Sequence, residues 1–199
     1  MSRTRNSRPI DSNPALTEAD PWIKTHSQEI EPERLHALGV ITFYWRRCEM
    51  ALTGLGGQVL PVDDVLSRAI YHDLGDRKIA EIILAAVSCD ESLQPSRPLI
   101  EHVLERYDIC RINRNQLTHF DVVWSARLHL SLSKGRSRGV AIDDDIADLR
   151  EVAEQIALTT TILHDIRSAV RDGNAALLAS RDRPPLPRRL DEQARRSQQ

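Results

Sequence analysis

PLIEHVLERYDICRINRNQLTHF, residues 98–120, is the stretch whose reading decides the fold. Val103, Tyr107, Cys110, Arg114 and Leu117 recur at steps of three and four. At about 100° per residue these positions form one face of a helix. Pro98 suits the first turn of such a helix, and the periodicity predicts a helix to about Phe120. Arg114 falls on the face that otherwise packs, where a guanidinium is costly without a partner or an anion. Asn115 and His119 are four apart and share a neighbouring face, with Arg111 four residues before Asn115. On a regular helix Arg114 and His119 point about 140° apart. One phosphate meets both only if the last turn loosens, or if a second subunit supplies its own pair across a two-fold axis.

Amphipathic segments lie on both sides. Pro32 opens a helix whose stripe is Leu35, Leu38, Thr42, Trp45, Cys48 and Leu52, and Gly54, Gly56 and Gly57 are expected to end it. Asp63 or Asp64 is expected to cap a second helix carrying Val65, Leu66, Ala69 and Ile70. Asp76 is expected to cap a third with Ile79, Ile82, Ile83, Ala86 and Val87 as its stripe. After Phe120 the period changes to two: Leu128, Leu130 and Leu132 alternate with polar residues. With the turn Lys134–Gly139 and a return along Val140, Ala141 and Ile142, this predicts a β-hairpin. Asp143, Asp144 and Asp145 then precede a last helix with Leu149, Val152, Ile156, Leu163 and Ile166 on one face. The expected fold is all-α, a four- to five-helix bundle with a small β-hairpin inserted before the last long helix. Residues 1–29 read as a disordered or loosely docked arm, 30–172 as the helical domain, and 173–199 as a Pro/Arg-rich disordered tail. Within that tail, Arg183-Pro184-Pro185-Leu186-Pro187-Arg188-Arg189 is similar to a polyproline ligand.

Composition narrows the class. The 199 residues are 41% apolar with a formal net charge of −2, so no global charge pulls the chain toward nucleic acid. Cys48, Cys89 and Cys110 have neither metal-ligand nor redox spacing and read as three buried thiols. The expectation is therefore no metal and no cofactor. The start of the chain is polar and no stretch reaches the ~18 apolar residues of a membrane span, so a soluble, cytoplasmic chain without membrane contact is expected. Gly54-Leu55-Gly56-Gly57 lacks the preceding strand and following lysine of a phosphate loop.

Arg114-Asn115-Gln116-Leu117-Thr118-His119 resembles the Arg-x4-6-His motif of the HEPN superfamily, all-α domains that include many bacterial ribonuclease toxins. The agreement rests on the Asn after the Arg, the helix-end position and the helical context, and spans roughly residues 30–170. The resemblance implies a metal-independent endoribonuclease, a toxin or defence component, with its site at a homodimer interface. Arg114 would hold the scissile phosphate, His119 would act as general acid or base, and Asn115 would orient His119 or bind phosphate. Arg111 and Thr118 would contact substrate. Glu49 reads as a supporting partner of Arg114 or Arg111, or else as an ordinary solvent-facing glutamate. RNA and a cognate antitoxin or partner protein are the implied partners. Three readings stay open: a nuclease, a non-catalytic HEPN-like scaffold or interaction module, and a regulator that binds RNA or nucleotides without cutting. The same spacing also occurs at Arg97 and His102.

Overall fold

The computed structural model describes residues 32–60, 63, 65–66, 70–71, 73–118, 121–123, 129–131, 141–142 and 146–190, with residues 32, 118 and the strands described by their backbone. The fold is predominantly helical. Helix α1 spans Pro32–Val59, α2 spans Asp76–Cys89, α3 spans Arg97–Thr118 and α4 spans Ile146–Arg171. Short 3-10 turns cover Glu91–Ser96 and Ala175–Ser180. Strands β1 (Asp121–Val123), β2 (His129–Ser131) and β3 (Ala141–Ile142) lie between α3 and α4. They form an antiparallel sheet in the order β1-β2-β3, with Val122 opposite Leu130 and Leu130 opposite Ile142. The Lys134–Gly139 turn, the Asp143–Asp145 run, the arm 1–29 and most of the expected helix after Asp63 lie outside the described residues. Asp63 itself accepts the amides of Val65 and Leu66, both at 2.9 Å, which is the geometry of a cap.

The core forms where the apolar stripes meet. Ile41, Cys48, Leu52 and Leu55 of α1 face Ile156, Leu163 and Ile166 of α4, all without solvent exposure. Ile79, Ile83 and Val87 of α2 and Ile100, Val103 and Tyr107 of α3 close the same cluster. Each such side chain contributes about 1.5–3 kcal/mol relative to exposure. Buried hydroxyls on α4 are satisfied within the helix: Thr159 donates to the Gln155 carbonyl at 2.7 Å and Thr160 to that of Ile156 at 2.8 Å.

Four expectations need correction. The glycines do not end α1, which continues to Val59. They permit close approach instead: a Cβ on Gly54 would sit 2.9 Å from the Arg167 guanidinium, and one on Gly56 3.0 Å from the Tyr71 ring. Asp76 is not the cap of α2. Gly75 holds that position in extended conformation, with no side-chain cap bond. Cys89 is exposed, because it lies at the end of α2 beyond the last buried turn, whereas Cys48 and Cys110 are buried. Finally, residues 174–190 are ordered onto the body. The Ser96 hydroxyl donates to the Ala175 carbonyl, and a strap without regular secondary structure, 181–189, follows along α3 to Leu190. Its proline and arginine suit solvent, but its backbone finds polar partners on α3 that composition does not reveal.

Candidate functional site

Three helices build a cavity of about 470 Å³ around the motif arginine. Helix α1 contributes Trp45 and Glu49, the start of α2 contributes Asp76, Arg77 and Lys78, and α3 contributes Arg111, Arg114 and Asn115. The spacing argument thus brings Arg111, Arg114, Asn115 and Glu49 to one wall. It did not foresee Arg77 and Lys78, which arrive because α2 begins at this spot. Two consecutive cations after a helix-starting glycine were the available signal.

The packing position of Arg114 has a local explanation. Its guanidinium carbon lies 6.0 Å from the centre of the Trp45 ring, within range of a cation–π contact. Its Nη1 donates to Asn115 Oδ1 at 3.0 Å. The indole is itself fixed, because Trp45 Nε1 donates to Glu49 Oε1 at 2.8 Å and the ring packs 5.0 Å from Tyr107. Glu49 also accepts from Arg46 at 3.4 Å. Arg114 therefore lays its stem and face against an aromatic platform and carries its charge to the cavity, as long cationic side chains do. Arg111 is anchored one turn back by Asp108, 3.1 Å from its Nε, and Lys78 by Glu81 at 2.8 Å. The cavity is thus a mixed wall of four cations with Asp76 and Glu49 among them. His119 lies outside the described residues, and Thr118 is described only as the last backbone position of α3.

Burial shapes the chemistry beneath the wall. Desolvation pushes the Cys48 thiol up to about 12, and it raises Cys110 and the Tyr107 hydroxyl in the same direction. These groups stay protonated and neutral near pH 7, so neither thiol is a nucleophile. Among the described residues no group of three His, Cys, Asp or Glu side chains is placed to hold a metal ion. No helix among them is long and apolar enough to cross a membrane.

The other flank of the same α3 packing face, about 80° round from Arg114, carries a polar set that the motif reading missed. His102 Nε2 lies 2.8 Å from the Pro184 carbonyl. Arg106 has no solvent exposure, and it donates to the Pro185 carbonyl and, at 2.7 Å, to Gln155 Oε1. Asn113 donates to the Arg188 carbonyl at 2.8 Å and accepts the Leu190 amide at 3.1 Å. The signal was present: Leu99, Val103, Arg106, Cys110, Asn113 and Leu117 follow a strict four-three alternation. The second Arg-x4-His pair separates, since Arg97 bonds Glu101 at 2.7 Å while His102 turns to the strap.

A larger cavity, about 630 Å³, lies between α1 and α4 over Ala37, Val40, Ala153 and Ala157. It holds none of the motif residues, so size does not select the site here. Comparisons with protein-family models, with curated proteins and with solved structures find no match.

Proposed function

We propose that the chain is a HEPN-like, metal-independent endoribonuclease acting as a homodimer, with Arg114, Asn115 and His119 as its site. The observation that carries the reading is Arg114: a motif arginine held by Trp45 and Asn115 at a cavity shared with Arg111, Arg77 and Lys78. A scissile phosphodiester seated there receives charge-assisted hydrogen bonds from Arg114, with Arg111 and Thr118 toward the flanking RNA. His119, one residue beyond α3, takes the proton from the ribose 2′-hydroxyl or returns one to the leaving 5′ oxygen. Glu49 supports the site by fixing the indole under Arg114. The second copy is supported by α1, which exposes Phe43 and Met50, each 61% accessible and seven residues apart, on the helix that carries Trp45. Within this reading the strands between α3 and α4 form a β-hairpin insertion beside the site, and a cognate antitoxin or partner protein is the natural regulator.

The scaffold reading draws on the same geometry, because Arg114 is already engaged by Trp45 and Asn115. Purified His119→Ala and Arg114→Ala, assayed on RNA with and without chelator beside thermal melts, separate the two. Lost cleavage in both, with melting unchanged for His119→Ala and lowered by only a few degrees for Arg114→Ala, and no chelator effect, is the expected result. RNA left whole by the unaltered chain under all conditions removes the nuclease reading, and chelator-sensitive cleavage removes the metal-free mechanism.

A further inference from the structure

We infer that His102 and Arg106, beneath the C-terminal strap, form a closed binding site for an oxyanion of the phosphate class, for which the carbonyls of Pro184 and Pro185 stand in. The inference goes beyond the nuclease reading and concerns the other flank of the α3 packing face. Among the described residues Arg106 is the largest side chain with no solvent exposure. Among the described residues its hydrogen bonds go only to neutral oxygens, one from the strap and one from Gln155. Its buried Nε has no hydrogen-bond partner. A guanidinium so placed keeps an uncompensated charge and a spare donor, each of which is costly in a dry site. An oxyanion would answer both, since hydrogen bonds between ionised partners are roughly twice as strong as neutral ones. His102 lies four residues earlier, one turn along the same face, and meets the adjacent carbonyl, so the pair offers two donors to one group.

The cover is built so that it can leave. His102, Arg106 and Asn113 span twelve residues of α3, about 16 Å of helix from first to last, and the strap from Pro184 to Leu190 covers a similar length at the ~3.1 Å rise of polyproline. Arg181, at its start, has φ −74° and ψ 136°, within that conformation. These α3 side chains all grip backbone atoms of the strap. Of its own side chains only Pro187 and Leu190 are buried. Arg188 pairs with Asp148 at the surface, a contact that contributes little. The strap thus competes for Arg106 with carbonyl oxygens alone.

The Leu190 amide, hydrogen-bonded to Asn113, reports strap release by hydrogen exchange in the full chain. Saturating inorganic phosphate should speed its exchange at least tenfold, whereas chloride at equal ionic strength should not. A short single-stranded RNA as a second probe separates a phosphodiester from a free anion, and a response to either supports the site. Arg106→Met should abolish the response while keeping side-chain volume. If that variant fails to fold, His102→Gln, which keeps a donor to Pro184 but not a titratable ring, should weaken it. Unchanged Leu190 protection with both probes overturns the inference, as does an equal effect of chloride or a response that survives Arg106→Met. His119→Ala should leave the response intact, so failure here and failure of the nuclease reading are told apart.

Discussion

The two flanks of the α3 packing face solve one problem in opposite ways. On one, Arg114 lies over Trp45 and carries its charge to an open cavity. On the other, Arg106 is sealed under a strap that offers only carbonyls. Both arginines sit where the helical pattern calls for packing. The difference lies in what comes to cover them: an indole from a neighbouring helix leaves the charge solvated, while a chain segment from the C-terminus removes it from water. An arginine on a packing stripe therefore marks a site, but the element that packs there decides whether the site is open.

The largest expected effect tests how dry the core is where α1 packs against α3 and α4. Cys48 has a folded-state pKa of about 12 against an ordinary 9.0. A group raised on folding contributes stability that is complete below its unfolded pKa and is lost as pH rises through the folded one. Stability should therefore hold up to pH 9 and fall between 9 and about 12, by about 1.4 kcal/mol per pH unit for this thiol. Cys110 and Tyr107, raised in the same direction by burial, add to the slope. Urea melts across this range check it, and Cys48→Ala should flatten the curve. A flat profile in the unaltered chain would mean that water reaches these groups and that the core there is not dry.

Arg106→Ala should come next, destabilising by about 3 kcal/mol, because it leaves a cavity and strips Gln155 and the Pro185 carbonyl of their donor. Arg114→Ala should cost about 1 kcal/mol, the scale of a part-exposed cation–π contact and one hydrogen bond. Thermal or urea melts of the pair measure the contrast directly. Equal losses would erase the distinction between an open and a sealed arginine.

The helical class was legible because apolar residues recur at three and four in α1, α2, α3 and α4, a signal that needs no tertiary context. The site was half legible. Placing Arg114 on the packing stripe was enough to mark it as unusual, and Asn115 and Glu49 do share its cavity wall. Arg77 and Lys78 show in the sequence only as two consecutive cations at a helix start, since nothing local says that α2 begins beside α3. Arg106 and Asn113 were missed for another reason. They flank the stripe of Val103, Cys110 and Leu117 on the side away from Tyr107 and Arg114, and the face is wide enough to hold both pairs. The strap reads as a disordered tail because proline and arginine suit solvent. Its order comes from side chains up to 82 residues away in sequence, capturing backbone atoms that every sequence has.

The smallest effect carries the contrast between a neighbour that yields and one that does not into α1. Alanine is favoured over glycine in a helix interior by about 1 kcal/mol. At Gly54 the new methyl would lie 2.9 Å from Arg167 Nη1, the free end of an exposed, flexible side chain that can swing aside. Gly54→Ala should therefore stabilise the protein by roughly 0.5–1 kcal/mol, an upward shift of a few degrees in the melt. At Gly56 the obstacle is the Tyr71 ring, 3.0–3.1 Å away and only 4% exposed. A buried ring cannot retreat without disturbing its own packing, so Gly56→Ala should lose what the backbone gains and more. Opposite signs at two glycines one half-turn apart would show that α1 keeps them for different reasons. Stabilisation at both would mean that Tyr71 moves as freely as Arg167, and that this end of the core is looser than its burial indicates.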